Sequence, residues 1–225
     1  LVGMHLGALL AGQRTLRDLC PQESSLATLL RQVLGSNGKQ KIGHALRELI
    51  GQGLQDLPAG RRLGIVEISA GAPLFAMDAC SKLDFNRGDY FFASPSAATL
   101  AEVGGRLKES FPSIATQLLD GTQNSSTGGR RAVCAMAIVT LDFDRVDQAL
   151  LAFEYARACL APGGSLIVVG QHPSRWIDVV FGAQRSGWSR SESGQWLSQQ
   201  RPSLFWRQQL QEIGLVCPEP FEFSP

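Results

Sequence analysis

Leu63-Gly-Ile-Val-Glu-Ile-Ser-Ala-Gly-Ala-Pro73 starts as an apolar run and ends as a loop of small residues. The run is short and rich in β-branched residues, so it predicts a strand buried on both faces, as in a parallel sheet. A buried strand that opens into a small-residue loop is how a nucleotide-type α/β domain begins. A loop of the form E-x-G-x-G-x-G would carry glycines where this chain has Ser69, Gly71 and Pro73. Glu67 and Gly71 keep that form; Ser69 and Pro73 break it. The first glycine of such a loop allows a tight turn, and the others let the backbone approach a ligand closely. A serine side chain fills part of that space, and proline fixes φ and removes an N–H donor. The loop suits the fold and is damaged for the ligand.

Downstream of Arg62, short apolar runs alternate with helical stretches. Strands are predicted at 63–68, 90–93, 115–119, 132–138 and 165–170, and helices at 74–82, 96–109, 144–160 and 203–213. That alternation predicts an α/β fold, a mostly parallel sheet with right-handed crossovers and helices on both faces. Ala161-Pro-Gly-Gly164 is expected to turn the chain from helix to strand, and 121–129 to form a polar loop. Upstream, residues 1–60 read as helices. Leu6, Leu9 and Leu10, then Leu26, Leu29, Leu30 and Leu34, then Ile42, Leu46 and Ile50 recur at helical spacing, with breaks at Pro21 and around Gly35–Gly38. These helices are expected to form an N-terminal cap over one end of a core that runs from 61 to 225. Within that core, 171–202 is set apart as a lid segment; its stretch Gln184–Gln200, rich in Ser and Arg and interrupted by Trp188 and Trp196, reads as a lid or surface loop. Residues 214–225 offer material for one further strand, and the chain lacks an initiator methionine, so a piece of a longer polypeptide is expected.

Composition excludes several functions. The 225 residues are 44% hydrophobic, enough for a sizeable core, and 21 basic residues against 20 acidic ones leave a net charge of +1. No basic stripe invites nucleic acid or an anionic membrane. No apolar run reaches the roughly 18–20 residues that span a bilayer. Cys20, Cys80, Cys134, Cys159 and Cys217 are scattered without a C-x-x-C pair, and His5, His44 and His172 add no metal-ligand spacing. Reduced thiols in a cytoplasmic protein are expected, and no metal. There is no G-x-x-x-x-G-K-[ST], H-E-x-x-H or G-x-S-x-G.

Four segments together resemble the C-methyltransferase domain of modular polyketide synthases. They are Met4-His-Leu-Gly-Ala-Leu-Leu-Ala-Gly-Gln13 with Leu16-Arg-Asp-Leu-Cys-Pro21, then Arg61–Gly71, then Leu160-Ala-Pro-Gly-Gly-Ser-Leu-Ile-Val-Val169. The last is Pro173-Ser-Arg-Trp-Ile-Asp-Val-Val-Phe-Gly182, with Trp188 a little downstream. The A-P-G-G run is common to many class I methyltransferases; the P-S-R-W-x-D-x-V-F-G segment is far more specific. The resemblance implies a class I, Rossmann-like domain that binds S-adenosylmethionine (SAM) through a loop of the E-x-G-x-G-x-G form. It also implies methyl transfer to the α-carbon of a β-ketoacyl chain on an acyl carrier protein. A histidine removes the α-proton, and a glutamate orients that histidine.

The chain departs from that family at the positions that would carry the chemistry. Asp142, in Ala137-Ile-Val-Thr-Leu-Asp-Phe143, stands where the resemblance implies the histidine, and a carboxylate with an ordinary pKa of about 3.9 is a poor base for a keto ester. Ser94 stands where an acidic residue would hold the ribose hydroxyls. Val169 or Gly170 stands where the orienting glutamate belongs. Of the cofactor positions Glu67, Ser69, Gly71, Ser94 and Asp120, only Asp120 supplies an acidic group that could face adenine. The expectation is a catalytically inactive, pseudo-methyltransferase scaffold with no cofactor, whose partners are neighbouring synthase domains. One alternative is an active SAM-dependent enzyme with His172 as base, although an ordinary loop histidine before proline is the plainer account of that residue. Another is a module that docks an acyl carrier protein through Arg185, Arg190, Arg201 and Arg207 near Trp188, Trp196 and Trp206. A solvated arginine loop over a tryptophan-rich core is the plainer account of those residues.

Overall fold

The structure is a computed structural model that describes residues 36–119, 133–143, 145–170 and 200–220, with 7–8, 11, 13–14, 173, 188–190 and 196–198. Its elements run α1 (Ser36–Asp56), β1 (Leu63–Ile68), α2 (Ala76–Cys80), β2 (Gly88–Ser94), α3 (Ala97–Ser110), β3 (Ala115–Leu118) and β4 (Cys134–Thr140). They continue with α4 (Val146–Cys159), β5 (Leu160–Val169), β6 (Trp188–Arg190), β7 (Trp196–Ser198) and α5 (Ser203–Glu212). Strands β1 to β5 form one five-stranded sheet in the order β3-β2-β1-β4-β5. Every pairing in it is parallel. The expected α/β class is therefore the observed one.

Strand parity explains the two cores. Leu63 and Ile65 of β1, Tyr90 and Phe92 of β2, and Met136 and Ile138 of β4 face one side, where Leu46 and Ile50 of α1 and Val103 and Leu107 of α3 cover them. Val66 and Ile68, Ala93, and Ala137 and Val139 face the other side, against Ala152, Phe153 and Ala156 of α4. Because β2 and β3 lie to one side of β1 and β4 and β5 to the other, right-handed crossovers put α3 and α4 on opposite faces. The leucine spacing of α1 is thus sheet-facing core: Leu46 and Ile50 are fully buried.

Three expectations change. The break expected around Gly35–Gly38 is not kept over residues 36–38, which lie within α1. The turn expected at Ala161–Gly164 is enclosed within β5. Leu160 pairs with Cys134 and Ser165 with Met136, so the intervening residues bulge out opposite Ala135. Gly163 takes a positive φ of 78° there. A Cβ on Gly164 would approach the carbonyl oxygens of Ala161 and Ala135 to 2.9 and 3.1 Å, so only glycine passes comfortably. The strand expected after α5 does not form over residues 215–220, where Pro218 and Pro220 lack the N–H a ladder needs. Within the expected lid, β6 and β7 pair antiparallel, Trp188 opposite Ser198 and Arg190 opposite Trp196. The polar loop 121–129 and the first two leucine stripes lie outside the described residues.

Candidate functional site

The loop Ser69–Phe75 leaves the C-terminal end of β1, the strand from which the sheet's order runs outward in both directions. A crevice at such a point is where open α/β sheets hold ligands. No non-glycine residue among those described has a positive φ, and Gly71 does not either. Ser69 therefore replaces the expected glycine without backbone strain.

Both limbs of this loop are held by buried carboxyl groups. On the far limb, Glu67 Oε1 accepts the amide hydrogens of Leu74 at 2.7 Å and Phe75 at 3.1 Å. Its Oε2 accepts the hydroxyl of Tyr90. Glu67 is fully buried, and burial pushes its carboxyl up to about 7 against the opposing pull of Tyr90 and of the Phe75 and Leu74 amides. The Tyr90 hydroxyl is itself raised well above its usual range, first by burial and then by the Glu67 charge. The first position of the loop pattern is thus a structural staple.

On the near limb, Asp142 reaches back from the end of β4. Its Oδ1 accepts the Ala70 amide at 2.8 Å; its Oδ2 accepts the Gly71 amide and the Ser69 hydroxyl, each at 2.9 Å. Asp142 is 4% exposed. Burial raises its pKa, while the Ala70 and Gly71 amides and the Ser69 hydroxyl oppose the rise. That rise brings an aspartate nearer to the range of a useful base, yet its oxygens are spent on the loop and face no open ground.

The other expected positions fall out differently. Ser94 is fully buried. Its Oγ accepts the Ser96 amide at 3.2 Å and donates to the Ala70 carbonyl at 3.4 Å, so it ties the loop to β2. Val169 is buried at the end of β5. At Gly170 a Cβ would meet Leu141 Cδ1 at 2.7 Å, so any larger side chain there requires Leu141 to move. Pro73 is half-buried between the two stapled limbs. Asp120 and His172 lie outside the described residues, as does Arg185; of Trp188, Arg190 and Trp196 the structure gives backbone pairing alone. On α5, Trp206 packs edge-on against Phe153 at 5.8 Å. Arg207 donates to Glu219 at 2.6 Å, and the Arg201 guanidinium lies 5.6 Å from the Phe205 ring centre.

Three site residues escaped sequence reasoning. Tyr90 sits in a predicted strand, and a tyrosine buried there needs a polar partner for its hydroxyl, which is the signal that leads to Glu67. Thr99 of α3 donates to the Ala70 carbonyl at 3.0 Å. Thr140 Oγ1 is buried with no hydrogen-bond partner among the described residues, beside Asp142 in sequence. Among the described residues no cluster of His, Cys, Asp and Glu could hold a metal, and no helix is long and apolar enough to cross a membrane. Cys134 and Cys159 are buried as small hydrophobes, and burial pushes the Cys134 and Cys80 thiols up to about 12.

No protein-family model matches the sequence, and no curated protein matches it significantly. Solved structures do match in shape. The CurJ carbon methyltransferase superposes with a TM-score of 0.71 and 21% identity, covering 98% of this chain and 60% of that one. The CMeT domain of the citrinin polyketide synthase gives a TM-score of 0.71 at 16% identity, over 95% of this chain and 57% of that domain. The trans-methyltransferase CalH, solved with SAH, gives 0.57 at 18%, over 95% and 58%. The chain has the fold of carbon methyltransferases and spans about 60% of the length of the first of them.

Proposed function

We propose that this chain is a C-methyltransferase-like domain of a polyketide synthase that no longer performs methyl transfer and serves as a scaffold among neighbouring synthase domains. Support for the family comes from the four matching segments together with the shared fold of polyketide synthase neighbours. The observation that carries the loss of chemistry is Asp142. It consumes the Ala70 and Gly71 amides that a ligand at this loop would need.

The residues present fit SAM poorly. Ser94, at the ribose position, points its hydroxyl into the loop backbone. Gly170, where an orienting acid is implied, lies against Leu141. Asp142 supplies no base that faces a substrate. The docking alternative draws no support from α5, where Trp206 packs on Phe153 and Arg207 is paired with Glu219.

Calorimetric titration of the chain with SAM tests this reading. No heat of binding is expected through high-micromolar cofactor. A dissociation constant in the micromolar range would overturn the proposal and restore the active alternative.

A further inference from the structure

We infer that the Ser69–Gly71 turn is a carboxylate-binding site in its own right, with Asp142 as its built-in occupant, and that a free small carboxylate can take Asp142's place. This deepens the closed-loop reading and rests on it.

The geometry is that of a receptor. Two successive amides each meet a different oxygen of one carboxylate, Ala70 to Oδ1 and Gly71 to Oδ2, and the single Ser69 hydroxyl hydrogen is shared between Oδ2 at 2.9 Å and the Gly71 carbonyl at 2.8 Å. Successive N–H groups that converge in this way form a concavity suited to anions. Among the described residues, none of the donors that reach Asp142 is a charged side chain, so dipoles hold the charge. A planar, two-oxygen anion matches the paired amides.

The turn is also preorganised without its occupant. The Ser69 amide donates to the Ala93 carbonyl at 3.2 Å. The Ala70 carbonyl accepts from Thr99 Oγ1 at 3.0 Å and from Ser94 Oγ at 3.4 Å. Glu67 fixes the far limb through Leu74 and Phe75. All these contacts come from β1, β2 and α3, whereas Asp142 arrives from β4. Removing its side chain therefore leaves the donors in place with an acetate-sized space between them, since Asp142→Gly deletes the equivalent of acetate.

The experiment uses the whole chain. Asp142→Gly should melt roughly 5–10 °C below wild type, because it strands buried donors. Sodium acetate should restore much of that loss in a saturable way relative to chloride at equal ionic strength, and should shift the Ala70 and Gly71 amide resonances. Wild type and Asp142→Asn, whose side chains fill the space, should show neither response. An acetate effect equal in the glycine variant and in wild type would overturn the inference. If the variant folds in neither salt, hydrogen exchange in wild type decides. Protected Ala70 and Gly71 amides support the site, and exchange at the rate of an open loop refutes it. SAM binding to wild type would sink the scaffold proposal through a different readout, so the two failures remain separate.

Discussion

Glu67 holds the far limb of the loop at a cost that depends on pH. Its carboxyl titrates near 4.5 in a free chain and is pushed up to about 7 by burial in the fold. Between those values the folded protein keeps a proton that the unfolded chain has released, so stability falls as pH rises through that window. The fall amounts to at most roughly 3 kcal/mol. Asp142, also raised, adds to the fall at the acid end. Glu67→Gln keeps an acceptor for Leu74 and Phe75 and can donate to the Tyr90 oxygen. Urea denaturation across the window should show most of the slope gone in this variant; an unchanged slope would place its origin elsewhere. Sequence marked Glu67 as the position that keeps the loop pattern and Asp142 as one that departs from it, but not as partners of one loop. They lie far apart in the chain, and only the β1–β4 pairing joins them.

Phe153 of helix α4 packs against both the sheet and α5. Phe153 is 1% exposed, lies among Val66, Ile68, Ala137 and Val139, and meets Trp206 edge-on. Phe153→Ala should cost about 3–5 kcal/mol through lost burial and a residual cavity. Chemical denaturation measures it, and a loss under about 1 kcal/mol would show that α5 collapses into the space. Elements as long as these were legible from periodicity, which marked α3 and α4 to within a residue or two. The bulge in β5 was not legible. Ala161-Pro-Gly-Gly164 has the chemistry of a turn, and only the pairing of Leu160 with Cys134 reveals that the strand has already begun.

The sheet as a whole has a stable centre and a soft edge. All six residues of β1 are buried and both its edges are paired, while β3 pairs on one side only among the described residues and is largely exposed. Hydrogen exchange should therefore release β3 amides in local openings, while β1 and β4 amides exchange only with global unfolding. Equal protection of β3 and β1 would mean that something covers the β3 edge. The same centre places the site, since β1 and β4 deliver the Ser69–Phe75 loop and Asp142 to one point.

Primary structure was enough for the α/β class, the five sheet strands and the loop in which Ser69 and Pro73 replace glycines. These follow from periodicity and from the steric limits of single residues, which are local properties. It also marked Asp142 as a residue out of place. What that residue does emerges from the folded chain. A carboxylate's role depends on which donors surround it, and the Ala70 and Gly71 amides reach Asp142 only because β1 and β4 lie side by side. The loop whose own residues depart from the glycine pattern is bound by a side chain that follows a neighbouring strand.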